Sequence, residues 1–329
     1  MRGSLDALRG PGATPSLSAS DQLVTIGADL TVRRIGFGAM ALTGRGVWGE
    51  PSDPAAARTL LQAAVGLGVE FIDTADSYGP DVSETLIAEA LYPYPDGLVI
   101  ATKGGFVREG PWQMRVDGRP EHLRAACDGS LRRLRLDAIP LYQLHTVDGR
   151  VPFEESIGAL AELRRQGKVR HVGLSNVTIA QVDLARTLVP IASVQNRYNL
   201  AERDSEDVLR YCEREGIVFS PWFPLAKGAL AKARGPLLEI ARSLGSAPAQ
   251  VALAWLLRRS PATLPIPGTT SIMHLEENVA AATLELTEEQ LDLLERIRPA
   301  GVGARTFARR VARRTIGPFA RPLLRRISR

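Results

Sequence analysis

The sequence predicts an α/β protein built as a closed (β/α)8 TIM barrel, with an N-terminal β-hairpin and additional helices. Three observations carry this expectation. Eight short apolar runs alternate with amphipathic stretches of helical length between residues 34 and 297. Most of these runs are continuous rather than alternating, as strands buried on both faces must be. Nearly every run also ends in a polar residue, and barrel strands present their functional groups at their C-terminal ends.

The elements follow in order. Leu23–Ile26 and 30–32 flank Gly27-Ala28-Asp29 and read as a hairpin. The eight strand runs are 34–38, 69–73, 98–102, 141–144, 170–174, 192–195, 217–220 and 263–266. Helices are expected over 55–65, 84–91, 120–134, 153–166, 178–187, 203–214, 234–244 and 247–259, then over 274–283 and 287–297. Asp53 before Pro54 has the form of an N-cap and first-turn pair, and Ser83 before Glu84 marks the start of the second helix. A doubly wound open sheet is the rival fold. It calls for Gly-x-Gly-x-x-Gly after the first strand, whereas Gly36-Phe37-Gly38-Ala39-Met40-Ala41 lacks the third glycine.

With 329 residues, 45% of them apolar, the chain can bury a core without disulfides or metal. Its two cysteines, Cys127 and Cys212, lie far apart in predicted helices, against a disulfide framework or a thiolate zinc site. No apolar run has the length of a transmembrane helix. The first 20 residues lack a continuous apolar core, so no secretory signal is read and a cytoplasmic location is expected.

The formal charge of +5 is concentrated at one end. Residues 301–329 hold nine arginines and no acid; without them 32 basic residues face 36 acids, so the body is mildly acidic. Three segments are expected: a disordered extension over 1–20, a barrel over 21–300, and an Arg-rich tail over 301–329. The tail reads as a solvated extension that can meet an anionic membrane or polyanion. No nucleic-acid partner is expected, and a small-molecule carbonyl substrate is.

That substrate class comes from the strand ends. Strand two ends in Asp73, with Tyr78 five residues on; strand three leads to Lys103 and strand four to His145. Reducing a carbonyl requires a proton at oxygen. Tyrosine, with an ordinary pKa near 10, is a weak acid at neutral pH, and a nearby ammonium favours its phenolate. A carboxylate keeps that ammonium charged and aimed, and a neutral histidine can orient the carbonyl oxygen. Each unit of pKa shift is about 1.4 kcal/mol, so the demand on electrostatics is modest. Asp73, Tyr78, Lys103 and His145 fill these roles, while no Ser or Cys nucleophile stands beside a base and no metal-ligand spacing occurs.

From about residue 22 to 298 the chain resembles the aldo-keto reductases. The resemblance rests on Asp73-Thr74-Ala75-Asp76-Ser77-Tyr78-Gly79, Thr102-Lys103, Leu134–Asp137 ahead of Leu141–His145, Gly173-Leu174-Ser175-Asn176, and Val194-Gln195-Asn196-x-Tyr198-Asn199. It implies a nicotinamide cofactor bound without a Rossmann domain. By resemblance, Ser175, Asn176 and Gln195 hold the carboxamide and Trp222 stacks on the nicotinamide. Phe223, Pro224, Leu225, Ala226, Lys227 and Gly228 follow the pyrophosphate, and Gly38, Ala39 and Met40 line the ribose side. Pro267, Gly268, Thr269, Thr270 and Ser271, with His274, Glu277 and Asn278, hold the adenosine end.

Many members place a lysine and an arginine around the 2′-phosphate, where this chain has Gly268 and His274. NADPH is expected over NADH by a reduced margin. Several stretches, among them Gly46-Val47-Trp48-Gly49 and Phe223-Pro224-Leu225, resemble the bacterial pyridoxal reductase branch. Pyridoxal, or a natural-product or sugar carbonyl, is the implied substrate, with Trp48 facing it. A cofactor-binding regulatory protein without turnover is the alternative.

Overall fold

The computed structural model describes residues 22–232 and 234–297 and, at Lys227, the backbone alone. The expected extension 1–20 and the tail 301–329 lie outside the described residues. β1 (Leu23–Ile26) and β2 (Leu30–Arg33) pair antiparallel as expected. Gly27 turns between them at φ +64°, and a Cβ there would lie 2.2 Å from the His171 ring, so conformation and packing both require glycine. Asp29 bonds Arg170 and His171, which fixes the hairpin near the start of β9 (Val169–Ser175).

The remaining strands are β3 (Phe37–Gly38), β4 (Phe71–Asp73), β5 (Val99–Gly104), β8 (Ile139–Leu144), β10 (Ile191–Gln195) and β11 (Val218–Phe219). With β9 they form one parallel sheet in the order β3-β4-β5-β8-β9-β10-β11. Helices intervene: α1 (Pro54–Gly66), α2 (Val82–Leu91), α3 (Pro120–Leu134), α4 (Phe153–Arg165), α5 (Ile179–Arg186) and α6 (Glu206–Glu215). After β11 come α7 (Pro236–Ser243), α8 (Pro248–Arg259), α9 (Ile272–Ala280) and α10 (Glu288–Glu295). Asp53 caps α1 as expected, accepting from the Ala56 N–H at 2.9 Å. Inside the sheet, Phe71, Ala101, Leu141 and Val218 pack with Ile26 and Val32 of the hairpin. No helix among the described residues is long and apolar enough to cross a membrane.

Four expectations need correction. Among the described residues the sheet has seven strands, because the run 263–266 forms none. Pro265 and Pro267 have no N–H and cannot alternate donors and acceptors along a ladder. The run instead uses what remains: Leu264 N–H donates to Phe219 O at 2.9 Å. Pro265 O accepts from Gly36 N–H at 2.9 Å and Pro267 O from Gly38 N–H at 3.2 Å. It thus bonds residues at both edges of the curled sheet.

The first strand is also shorter than 34–38, because Arg34 turns to this seam. Its buried guanidinium donates to Thr263 O (3.2 Å), Thr263 Oγ1 (3.0 Å), Leu257 O (2.7 Å) and Ser260 O. These last carbonyls close α8, where intrahelical donors run out and a cation is favoured.

α2 starts at Val82 after Asp81, whose φ is +66°; Ser83 is no cap, and its hydroxyl meets Thr74 Oγ1 at 2.8 Å. Finally, an unexpected antiparallel ribbon, β6 (Phe106–Gly110) and β7 (Gln113–Val116), follows β5 directly.

Arg34→Ala should cost about 3 kcal/mol, since it strips charge-assisted bonds from several buried carbonyls at once. A urea melt checks this through a lower midpoint at unchanged slope; an unchanged midpoint would show that the seam holds without it.

Candidate active site

At the C-terminal ends of β4 and β5, Asp73 and Lys103 form a buried ion pair, Nζ to Oδ2 at 2.7 Å. Parallel pairing of β4 with β5 sets Asp73 beside Ala101, two residues before Lys103 on the same face. Lys103 donates a second bond to Thr74 O at 2.9 Å. The other carboxylate oxygen of Asp73 accepts from Gln195 Nε2 at 2.8 Å and from Gln143 Nε2 at 3.3 Å. Burial works against the Lys103 ammonium, but Asp73 and Tyr78 outweigh it and hold its pKa above the ordinary lysine value.

Tyr78 lies on the loop after β4, with the Lys103 ammonium 5.2 Å from its ring centroid. Burial pushes its hydroxyl above the ordinary value of 10, and Lys103 draws it back without cancelling the rise. The expectation that lysine sets a lowered tyrosine pKa is therefore corrected: removing the phenolate from water weighs more. His145, just past β8, meets the Tyr78 ring edge-on at 5.8 Å. Burial, then Lys103 and Arg108, hold its imidazole well below 6.5, hence neutral. Its Nδ1 is buried without a hydrogen-bond partner among the described residues. Asp76, the second acid of the motif, is outside the Lys103 pair. Burial, then nearby Glu84, push its pKa well above the ordinary carboxylate value.

The residues expected at the nicotinamide adjoin this group. Asn176, with φ +60°, donates from Nδ2 to His145 O and Ser175 Oγ, both at 3.0 Å. Its Oδ1 accepts from Trp222 Nε1 at 3.0 Å, which fixes the indole. The Arg197 guanidinium lies against Trp222 and Phe223, 5.6 and 4.4 Å from their ring centroids, and pairs with Glu202. Phe223 and Ala226 have positive φ, and Gly228 turns at φ +79° with open space where a Cβ would stand, so the loop carrying Pro224 and Leu225 is tightly bent. The side chain of Lys227 lies outside the described residues.

Gly38 and Gly268 touch across the seam. A Cβ on Gly268 would lie 2.7 Å from Gly38 O, and one on Gly38 2.6 Å from Ile266 O. That contact explains why no side chain stands at 268. Ala39 is buried and Met40 exposed. Ser271 caps α9, its hydroxyl oxygen accepting from the His274 N–H at 3.4 Å, and Thr269 Oγ1 accepts from Ser271 N–H at 3.0 Å. Thr270 is exposed beside them, Pro267 and Asn278 are buried, and Glu277 is half-buried. Among the described residues, no bond joins His274, Glu277 or Asn278 to the Asp73–Lys103 group. Trp48 is exposed, and its backbone bridges to Gly79, next to Tyr78.

The sequence reading missed four residues. Gln143 was visible as a lone amide in an apolar strand. The ribbon adds Phe106, 4.4 Å edge-to-face on His145; Arg108, donating from Nε to Ser77 O at 3.1 Å; and the exposed Trp112, whose N–H reaches Gly46 O at 3.1 Å. Its signal was the two-residue alternation of Trp112-Gln113-Met114-Arg115-Val116 after Gly110-Pro111.

Comparison with known proteins shows the family of the chain. Residues 34–299 match the model of the aldo/keto reductase family. Over 277 residues the chain is 48% identical to an uncharacterized oxidoreductase of Schizosaccharomyces pombe, covering 84% of this chain and 90% of that one. It is 45% identical over 284 residues to pyridoxine 4-dehydrogenase of Escherichia coli, covering 84% and 99%. Among solved structures it is similar to the glycerol dehydrogenase of Gluconobacter oxydans, with TM-score 0.77, 28% identity and coverage of 84% and 95%. An aldo-keto reductase of Klebsiella pneumoniae in complex with NADPH matches with TM-score 0.73, 28% identity and coverage of 86% and 96%.

Asp73→Asn should destabilise the protein by about 3–5 kcal/mol, because it leaves a buried ammonium without its counter-charge. Asp73→Asn combined with Lys103→Met should recover part of that loss in a denaturant double-mutant cycle. Strict additivity would deny the coupling.

Proposed function

Since this chain belongs to the aldo/keto reductase family and is an NAD(P)H-dependent oxidoreductase, we propose that it reduces an aldehyde or ketone with NADPH, Tyr78 delivering the proton. The observation carrying this reading is the buried Lys103–Asp73 pair set against a protonated Tyr78 and a neutral His145. The run 263–267, bonded to both sheet edges, is read as closing the barrel around the hairpin core.

The residues present fit a nicotinamide. The Trp222 indole is anchored by Asn176, and Gln195 commits its amide N–H to Asp73, which leaves Oε1 to accept from a carboxamide beside Ser175. Gly38, Ala39 and Met40, the 223–228 loop and the start of α9 would hold the remainder, the helix N-terminus favouring phosphate. Thr269, Thr270, Ser271 and His274 at that end support NADPH over NADH. When bound, the reduced nicotinamide supplies hydride to the carbonyl carbon.

Everything else falls to the chain's own groups. Tyr78 holds its proton throughout the neutral range, because burial disfavours its phenolate. As charge develops on the phenolate oxygen in the transition state, the Lys103 ammonium opposes that cost and Asp73 keeps the ammonium in place. A neutral His145 can donate a ring N–H to the carbonyl oxygen without bringing a third positive charge between Lys103 and Arg108. Pyridoxal is the first substrate to test, on the 45% identity to a pyridoxine 4-dehydrogenase. The two free, buried cysteines suit the cytoplasm, where thiols stay reduced.

Tyr78→Phe should still bind NADPH, read as quenching of tryptophan fluorescence, while reduction falls about 10²–10⁴-fold; undiminished turnover would remove Tyr78 from the proton step. Because the acid must be protonated and its pKa lies above 10, the wild-type reduction rate should stay level from about pH 6 to 9 and fall on the alkaline side. A pH–rate profile with an acid limb near 6.5 would instead show that His145 titrates.

A further inference from the structure

We infer that Arg108 forms an anion subsite at the mouth of the active site, selecting carbonyl substrates that carry a carboxylate or phosphate. This rests on the reductase reading and adds the substrate class. The ribbon leaves the barrel immediately after Lys103, through Gly105 at φ +116°. Phe106 and Arg108 are two residues apart on one face of β6. Phe106 lies against His145, and Arg108 donates from Nε to Ser77 O, the peptide before Tyr78. One short strand therefore touches His145 and the peptide that leads into Tyr78.

The charge balance of the ribbon isolates Arg108. Arg115 pairs with Glu109 at 3.0 Å and Asp117 at 3.2 Å. Arg108 has no ion pair among the described residues, and no bond to its two Nη groups is found there. The other cation nearby, Lys103, is matched by Asp73. Arg108 is half-buried and, being a guanidinium, remains charged at any working pH. An unmatched, partly desolvated cation is unfavourable in the free protein. It becomes favourable once an anion accepts two parallel bonds from the Nη groups. Trp48 and Trp112, exposed on loops that meet at Gly46, offer apolar surface for the body of such a substrate.

The test compares 4-carboxybenzaldehyde with 4-methylbenzaldehyde, and pyridoxal 5′-phosphate with pyridoxal, using NADPH and the full chain. Wild type should favour the anionic member of at least one pair in kcat/KM, and the pair that responds distinguishes carboxylate from phosphate. Arg108→Gln should shrink that preference about 10-fold or more, through KM. Arg108→Lys, which keeps a point charge, should retain part of it. Binding is read in parallel from tryptophan fluorescence with the two benzaldehydes, so that turnover is not the sole readout. A preference unchanged by Arg108→Gln in a variant with wild-type melting behaviour overturns the subsite, as does a wild type indifferent to charge in both pairs. Arg108-dependent binding of the anionic aldehydes without any turnover overturns the reductase reading and leaves the subsite standing.

Discussion

The site depends on one buried ion pair. Lys103 is fully enclosed, and a bare ammonium there would cost several kcal/mol. It is tolerable because Asp73 sits 2.7 Å away and Thr74 O accepts a second hydrogen bond from the ammonium. Asp73 is in turn saturated by Gln143 and Gln195, so side chains from β4, β5, β8 and β10 converge on a single carboxylate. The register of the parallel sheet is what brings them together. The α9 residues proposed for the adenosine end stand apart from this network; those proposed for the nicotinamide join it through Gln195.

Low dielectric then sorts the remaining groups by charge. Tyr78 and His145 are neutral because burial disfavours the charged form of each; for Tyr78 the Lys103 ammonium only partly offsets this, and for His145 it adds repulsion. Burial and nearby Glu84, which bonds Thr102 and Arg133, likewise push the Asp76 carboxyl toward its neutral form. The result is one charged pair beneath two neutral polar groups, an arrangement suited to stabilising charge as it develops rather than charge already present.

Most strands were legible because burial on both faces leaves a mark in composition. Leu98–Thr102 and 192–195 could hardly be anything else, and their observed bounds differ by a residue or two. The ribbon 106–116 was missed because a two-stranded, mostly solvent-facing element carries no such mark; only the alternation after Gly110-Pro111, over 112–116, hinted at it. The run 263–266 misled for the opposite reason. It is as apolar and buried as a strand, yet its prolines remove the donors that define one.

Residue types and their order along the chain determined the architecture and the chemistry on offer: apolar runs demand enclosure, and Asp73, Tyr78, Lys103 and His145 follow from which side chains stand at the strand ends. Only the tertiary structure decided their protonation, since a pKa is set by neighbours and burial that spacing does not contain. It alone decided that Gly268 must lack a side chain, because Gly38 O lies where a Cβ would go. It also decided that Arg108, an unremarkable arginine in the sequence, stands beside the peptide before Tyr78 with no ion pair among the described residues.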